Sequence, residues 1–310
     1  MATVCDCNAG LSNTGTPDCQ NVQNVTAKII LLNTFDSDGN RNFIDTTLTL
    51  DKTFIDARIN DSDKSKRWRP LSRPKMKNVE DLKADSVFET FNDTSNVFIR
   101  EGARTFNALI LNQSPTFLGK IKSARCVDIS VFLVDIEGNL IGSTQEADKL
   151  FPIRVDKETW NPIDMRKTDT ASQRIALSFE FSDIESDEDI KMIKANEFAS
   201  DVSLLTERGL IDVNGVVSDI TVSSFTLGAT FDYGTAVTAS PFEGKDDTGD
   251  WLLAEVTPTP GAIVITSVTE VSAGVYDFVF PPSTIGDTLS LDLDPTVLGF
   301  DMDQLSITII

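Results

Sequence analysis

The stretch 216–234, VVSDITVSSFTLGATFDYG, indicates the fold class of this chain. Val, Ile, Phe and Thr are frequent in it, apolar and polar side chains alternate in its second half, and Asp-Tyr-Gly ends it. β-Branched and aromatic residues with a period of two, followed by turn residues, are typical of antiparallel strands. We therefore predict strands at 216–222 and 225–231, with a turn at 232–234.

The same pattern continues towards the C-terminus. Turn residues, such as those at 246–249 and 281–282, separate short runs that are rich in Val and Thr. Short strands divided by turns about every 8–12 residues are typical of an antiparallel sandwich. Because this region contains no cysteine, we predict an immunoglobulin-like sandwich without a disulfide. Its further strands are predicted at 251–256, 262–269, 274–280 and 287–293.

The distribution of charge divides the chain near residue 206. The chain has 310 residues and a formal net charge of −21, from 27 Lys and Arg and 48 Asp and Glu. Residues 201–310 contain two cations, Arg208 and Lys245, against 17 acids. Residues 1–200 contain 25 cations and 31 acids. We predict a self-assembling β domain at 1–206 and the immunoglobulin-like domain at 207–310.

The first domain is also predicted to be mainly β, with two short helices. A serine before Pro115 indicates a helix over 115–122, and Ser186 with Asp189 three residues later indicates one over 187–198. The predicted fold class is therefore mainly β: a β-barrel or sandwich domain with short helices, then the immunoglobulin-like sandwich. Strands of the first domain are predicted at 25–32, 43–50, 86–91, 96–101, 105–111, 126–136 and 170–182.

The composition excludes several classes of function. The chain has no histidine, which removes Ser-His-Asp triads, Cys-His pairs and His-ligated metal sites. So acidic a chain is unsuited to specific nucleic-acid binding, which needs a cationic surface. Apolar runs such as 27–32 and 129–136 are too short to span a membrane. The opening MATVCDCNAG lacks the features of a secretory signal, so we expect synthesis in a bacterial cytoplasm.

Three alternatives are open for Cys5, Cys7 and Cys19. Thiolates beside an acid can hold zinc or iron, although the paired CxxC knuckles of zinc sites are missing. The thiols can instead form a disulfide in an assembled particle, or remain unpaired. We predict no metal and no cofactor.

Two acidic stretches each have a functional and a structural interpretation. Residues 36–42, DSDGNRN, alternate oxygen ligands as calcium loops do, but the glycine is fourth instead of sixth, and a β-hairpin turn explains the same residues. The acids of 183–189 could supply the carboxylate pair of a glycosidase. Acids at such a position are far more often part of a capped helix start, and we predict that the chain is not an enzyme.

The run 64–77, KSKRWRPLSRPKMK, has seven cations and no acid. Its two prolines disfavour a helix or a central strand. A solvated loop and a nucleic-acid patch with Trp68 stacked on a base are the alternatives. In an acidic protein we favour docking on an acidic surface of another copy. The predicted self-assembly residues are Lys64, Lys66, Arg67, Trp68, Arg69, Arg73, Lys75 and Lys77.

Three segments resemble structural proteins of long-tailed bacteriophages. They are IREGARTFNALILNQSPTFLGKIKSARCVDISVFLVDIEGNLIG at 99–142, CDCNAGLSNTGTPDC at 5–19, and the region from 217 to 293, which is similar to the immunoglobulin-like module of tail tube proteins. The resemblance implies a tail tube subunit in the virion tail. Such subunits form stacked hexameric rings, contact other tail proteins, and enclose a channel through which DNA passes without specific binding.

Other classes of protein remain alternatives. One is another virion component, such as a baseplate, connector-ring or capsid decoration protein. A second is a carbohydrate-binding or cell-surface binding protein that uses the sandwich for adhesion. A third is an enzyme with a carboxylate pair. We predict no membrane partner for any of these classes of protein.

Overall fold

The structure is a computed structural model that describes residues 23–71, 76–92, 95–113, 115–231, 240–295 and 297–310. It has two compact units. Unit 1 comprises Met1–Arg58 and Asp63–Arg208, and unit 2 comprises Ile59–Ser62 and Gly209–Ile310. The main division therefore follows Arg208, two residues beyond the boundary that the charge distribution predicts.

The helices are α1, Lys52–Ile59, and α2, Pro115–Lys122. No helix in the described part of the chain is long and apolar enough to cross a lipid bilayer. The strands of unit 1 are β1 Thr26–Asn33, β2 Ile44–Asp45, β3 Arg69–Pro70, β4 Lys77–Lys83, β5 Val87–Thr90, β6 Asn96–Arg100, β7 Arg104–Leu111, β8 Ile129–Asp135, β9 Leu140–Ser143, β10 Lys149–Leu150, β11 Ile153–Arg154, β12 Asn161–Met165, β13 Arg174–Glu180 and β14 Ile190–Ile193. The strands of unit 2 are β15 Ile211–Ser218, β16 Ser224–Phe231, β17 Ser240–Pro241, β18 Trp251–Thr257, β19 Gly261–Ile263, β20 Ser267–Ser272, β21 Val275–Val279, β22 Thr288–Leu293, β23 Phe300–Met302 and β24 Leu305–Thr308.

Unit 1 is a sandwich of two antiparallel sheets. Sheet I has the order β14-β9-β8-β1-β3, and sheet II has the order β12-β13-β7-β4. In β7 and β13 every second residue is buried, so each strand turns one apolar face to the core, as in Phe106 and Leu177. Sheet I supplies the facing residues, including Ile29 and Val131, to the same core. The other face of sheet II therefore points away from the core.

Unit 2 is a second sandwich. Sheet III has the order β20-β21-β16-β15-β23, and sheet IV has the order β19-β18-β22-β24. Phe225 and Phe278 stack at 4.8 Å between ring centroids, and the edge of Trp251 packs against Phe278 at 5.3 Å. Buried Leu289 and Leu291 of β22 close this core from sheet IV. The predicted fold class, mainly β with an immunoglobulin-like sandwich after the first β domain, is confirmed.

The helix predictions have mixed outcomes. The helix over 115–122 is confirmed, with Leu118 and Ile121 buried. The helix over 187–198 is wrong: the Ser186 hydroxyl caps only the 3₁₀ turn Asp187–Asp189, and β14 then pairs with β9. Sheet pairing of Ile190–Ile193 therefore overrides the local cap signal. Helix α1 was not predicted, although Asp51 precedes it and accepts a hydrogen bond from the Phe54 amide at 2.8 Å.

The strand predicted at 43–50 is also wrong beyond its first residues. Only Ile44–Asp45 forms a strand, paired with β10. The Asp45 carboxylate accepts hydrogen bonds from the backbone amide and the hydroxyl of Thr47, at 2.9 and 2.6 Å. This local side-chain bond turns the chain and ends the strand.

Lys28 on β1 is a charged residue inside unit 1. It is 1% exposed, and its ammonium donates to the carbonyls of Leu204, Leu205 and Glu207, the first two at 3.2 and 3.3 Å. Burial lowers the pKa of Lys28 from 10.5 to about 8, and the Glu207 carboxylate offsets part of that shift. These hydrogen bonds hold residues 204–207, at the end of unit 1, against sheet I.

Candidate functional site

Strands β5 and β6 form a hairpin that extends the β4–β7 pair of sheet II. We call residues 84–103, as far as the structure describes them, the arm. Within the described residues, β5 and β6 pair only with each other. The Ala84 amide donates to the Ala103 carbonyl at 2.9 Å, so the arm continues directly from the Lys83–Arg104 pair that ends β4 and begins β7. Every residue of β5 and β6 is exposed.

The arm is apolar on both of its faces. Phe88 and Phe98 lie opposite each other in the ladder, with ring centroids 5.8 Å apart, and are 55% and 50% exposed. Val97 lies opposite Glu89 and therefore on the other face, where Phe91 follows two residues after Glu89. Val97 and Phe91 are 51% and 47% exposed. Contiguous exposed apolar surface of this kind marks an interaction site.

At the base of the arm the two backbones approach each other closely. A Cβ atom at Gly102 would lie 1.9 Å from the Ala84 carbonyl oxygen, so only glycine allows the two backbones to approach this closely. Lys83 pairs with both Glu101 and Asp187. The hydrogen bond to Asp187, aided by the one to Glu101, raises the pKa of Lys83 above its ordinary value. The arm is therefore attached through backbone fit and an exposed ion-pair network.

The face of sheet II that points away from the core is largely apolar in its middle. Leu109 of β7, Ala176 of β13 and Ile163 of β12 form one cross-strand row. Ile163 is 49% exposed, and Met165, two residues further along the same edge strand, is 38% exposed. This open face also carries Lys77, Glu80, Arg174 and Glu180, two cations and two acids.

Sheet II has two open edges, β12 and β4, within the described residues. Two buried polar atoms near the β12 edge, Asp164 Oδ1 and Arg174 Nε, have no hydrogen-bond partner in the described part of the chain. Buried polar groups are nearly always paired in a complete structure. The unpaired backbone groups of an open edge can bond to the edge of a sheet in another subunit.

The predicted self-assembly residues of 64–77 have a different arrangement from the one expected. Trp68 is not available to a neighbour, because it is 3% exposed and packs against Phe132 and Phe54 with ring centroids 5.6 and 6.2 Å away. Arg69 and Pro70 form β3, which pairs with β1. The expectation of a long exposed docking loop anchored by Trp68 is therefore wrong for the described part of this segment.

The remaining cations of that segment are dispersed. Lys64 and Lys66 lie in a turn, where Lys66 pairs with Asp36 and Asp63 at 3.6 Å. The Arg69 guanidinium donates to the carbonyls of Arg67 and Lys64, at 3.2 and 2.6 Å. Lys77 begins β4 on the open face of sheet II. Arg73 and Lys75 lie outside the described residues.

The other candidate sites have structural roles where they are described. The Asp36 carboxylate accepts hydrogen bonds from the amides of Asp38 and Asn40, at 3.0 and 2.8 Å, which forms a turn. Within the described residues no cluster of three or more acids or cysteines could hold a metal ion. The acids around Ser186 belong to a capped 3₁₀ turn. Cys5, Cys7 and Cys19 lie outside the described residues.

The sequence predicts the two strands of the arm, at 86–91 and 96–101, close to their observed bounds, but it does not identify the arm as a functional site. The signal that could have identified it is the succession Val97-Phe98-Ile99, which breaks the alternation expected of a strand with one solvent-facing side.

No family model matches this chain, and no curated protein matches it. Among solved structures, the chain is similar to the adhesin FdeC of Escherichia coli at 11% sequence identity and a TM-score of 0.20. That match covers 78% of this chain and 90% of the adhesin chain. A TM-score of 0.20 does not establish a shared fold.

Proposed function

We propose that this chain is a structural subunit that assembles with copies of itself, and specifically that it forms the tail tube of a long-tailed bacteriophage. The observation that carries the proposal is the arm, with Phe88 and Phe98 on one face and Val97 and Phe91 on the other, all about half exposed. An isolated two-stranded hairpin is at best marginally stable in water. One with two apolar faces gains stability when both faces are covered by other copies.

The open edges of sheet II support closure into a ring. Strand β4 of one copy can continue the sheet at β12 of the next, so that the unpaired backbone groups of both edges bond to each other. With six copies, the four strands of sheet II would give a barrel of about 24 strands. At a spacing of about 4.8 Å per strand, its diameter is at least about 37 Å between strand axes, and the tilt of strands in a closed barrel widens it further.

Such a barrel would leave a channel for DNA. Side chains extending about 5 Å from each wall reduce the clear width to about 27 Å, which a DNA duplex can pass. The open face of sheet II would line it with two cations and two acids per copy, Lys77 and Arg174 with Glu80 and Glu180. A wall with balanced charge does not hold a polyanion as a cationic wall would. The proposal needs no catalytic group and no cofactor.

Negative-stain electron microscopy of the purified full chain tests this proposal, with sedimentation velocity over a range of concentrations. Stacked six-fold rings or tubes are the expected result. Closed rings that never stack, or particles of another symmetry, would favour another virion component instead of a tube. If the chain remains monomeric up to about 100 µM, the proposal of self-assembly is wrong and the interpretation as a binding protein is favoured.

A further inference from the structure

The two ends of sheet II differ in charge. At one end, Arg174 lies opposite Met165 and Leu111, and Arg166 and Lys167 follow β12 directly. The Arg166 side chain is 93% exposed, and its contact with Asp164 is 3.9 Å long. We call this the basic end; besides these three cations it includes Lys77, and its acids are Asp164 and Asp169.

The opposite end, from which the arm extends, is acidic. Glu180 ends β13, and the segment 183–189 that follows contains five acids, of which Glu185 has a buried side chain and pairs with Arg41 and Arg154. Three cations near this end have partners: Lys83 pairs with Asp187, Arg104 with both carboxylate oxygens of Asp81 at 2.7 and 2.6 Å, and the Lys191 ammonium donates to the Glu188 carbonyl at 3.0 Å. Asp183 and Glu188 are exposed. We call this the acidic end.

The two ends are too far apart to neutralise each other. Strand β7 has 8 residues between them, which at about 3.3 Å per residue is about 26 Å. Exposed charges interact over about 8 Å at physiological ionic strength. Each end therefore presents its own field to solvent and to other molecules.

We propose that copies of this chain associate head to tail, with the basic end of sheet II in one copy facing the acidic end in the next. The inference rests on the proposed function for the presence of many copies, and it adds the contact that gives the stack a direction. A contact between two different surfaces of the same chain gives a ring when its rotation closes and a filament when it does not; the contact between opposite ends of sheet II runs along the strands, so it repeats without closing and generates a filament. Sideways pairing of β4 and β12 leaves both ends free for it.

Two charge reversals and their mixture test the proposal in the full chain. Variant A, Arg166→Glu with Lys167→Glu, makes the basic end acidic; variant B, Asp183→Lys with Glu188→Lys, removes most of the excess negative charge of the acidic end and places two exposed cations there. Each variant alone should stack about tenfold more weakly than wild type at low salt, because several exposed charge pairs between copies are lost and repulsion replaces them. An equimolar mixture of preformed rings of A and of B should restore long stacks, because in alternating stacks the two new acids of A face the two new cations of B.

The measurement is stack length by electron microscopy across a salt series, with ring size by native mass spectrometry as a control for lateral assembly. Glu243→Lys, an exposed change in unit 2 and outside both named ends, serves as the charge control and should stack as wild type does. The inference is overturned if A or B alone stacks like wild type, or if the mixture stacks no better than either. If wild type forms rings and both variants stack as it does, this inference is wrong and the proposed function is unaffected. If wild type is monomeric, both the inference and the proposed function are wrong.

Discussion

Replacing Phe88 and Phe98 by Ala tests the arm directly. The two side chains are 55% and 50% exposed in the single subunit. A phenylalanine buries roughly 200 Å² in full, so about 100 Å² of each ring remains to be covered in an assembly. At about 25 cal/mol per Å², each ring contributes about 2.5 kcal/mol to association, which is roughly a 70-fold change in the dissociation constant.

The double variant should lose less than the two single losses together. The rings contact each other at 5.8 Å in a T-shaped arrangement, so removing one also loosens the other. Because both rings are exposed in the subunit, the free energy of unfolding of unit 1 should change by less than about 1.5 kcal/mol, about the worth of the ring pair itself. The two measurements together separate an assembly role from a folding role.

Sedimentation velocity over a range of concentrations gives the association constant, and urea denaturation gives the stability of the subunit. Ile285→Ala, which removes a 70% exposed side chain in unit 2, is the matched control for general surface hydrophobicity. It should leave association unchanged. An arm variant that associates as tightly as wild type would refute the assignment of the arm to the interface, whatever its stability.

Three further outcomes follow from particular contacts. Between pH 8 and 10.5 the folded chain releases the Lys28 proton while the unfolded chain keeps it, so the unfolding free energy of wild type should rise by about 2 kcal/mol relative to Lys28→Met, measured by urea denaturation at each pH. Gly102→Ala should displace the arm, because its Cβ would meet the Ala84 carbonyl oxygen at 1.9 Å, and faster hydrogen exchange of the arm amides would report it. Glu185→Gln should destabilise unit 1 by about 3 kcal/mol in thermal unfolding, because this carboxylate pairs with Arg41 at 2.8 Å and is 2% exposed.

Alternation predicted most of the strands of both sandwiches. The strand predicted at 225–231 is Ser224–Phe231, and the one at 105–111 is Arg104–Leu111. The strand predicted at 262–269 is instead two, β19 in sheet IV and β20 in sheet III. Periodicity describes the two faces of a segment but does not reveal where the chain passes from one sheet to the other.

The candidate site was harder to predict than the fold. A run of seven cations suggested an exposed loop at 64–77, whereas Trp68 and Leu71 are buried and Arg69–Pro70 pair with β1. The pairing partners, Ile30 and Leu31, lie about 40 residues earlier in the chain. A contact of that separation is not visible in local composition, so tertiary pairing decides the placement of a segment that its charge alone would assign to solvent.

The arm and β8 have the same kind of sequence and opposite burial. A strand with one buried face alternates apolar and polar residues, whereas consecutive apolar residues give two apolar faces. Strand β8, ISVFLVD, is of the second kind, and all of its residues are buried, because it pairs with β1, β9 and β11 while Val131 lies in the core of the unit and Phe132, on the other face, packs against Trp68. Strand β6, NVFIR, is also of the second kind, yet every residue is exposed. No residue in the described part of its own unit covers the two apolar faces of β6; under the proposed self-assembly, the residues that cover them belong to the next copy.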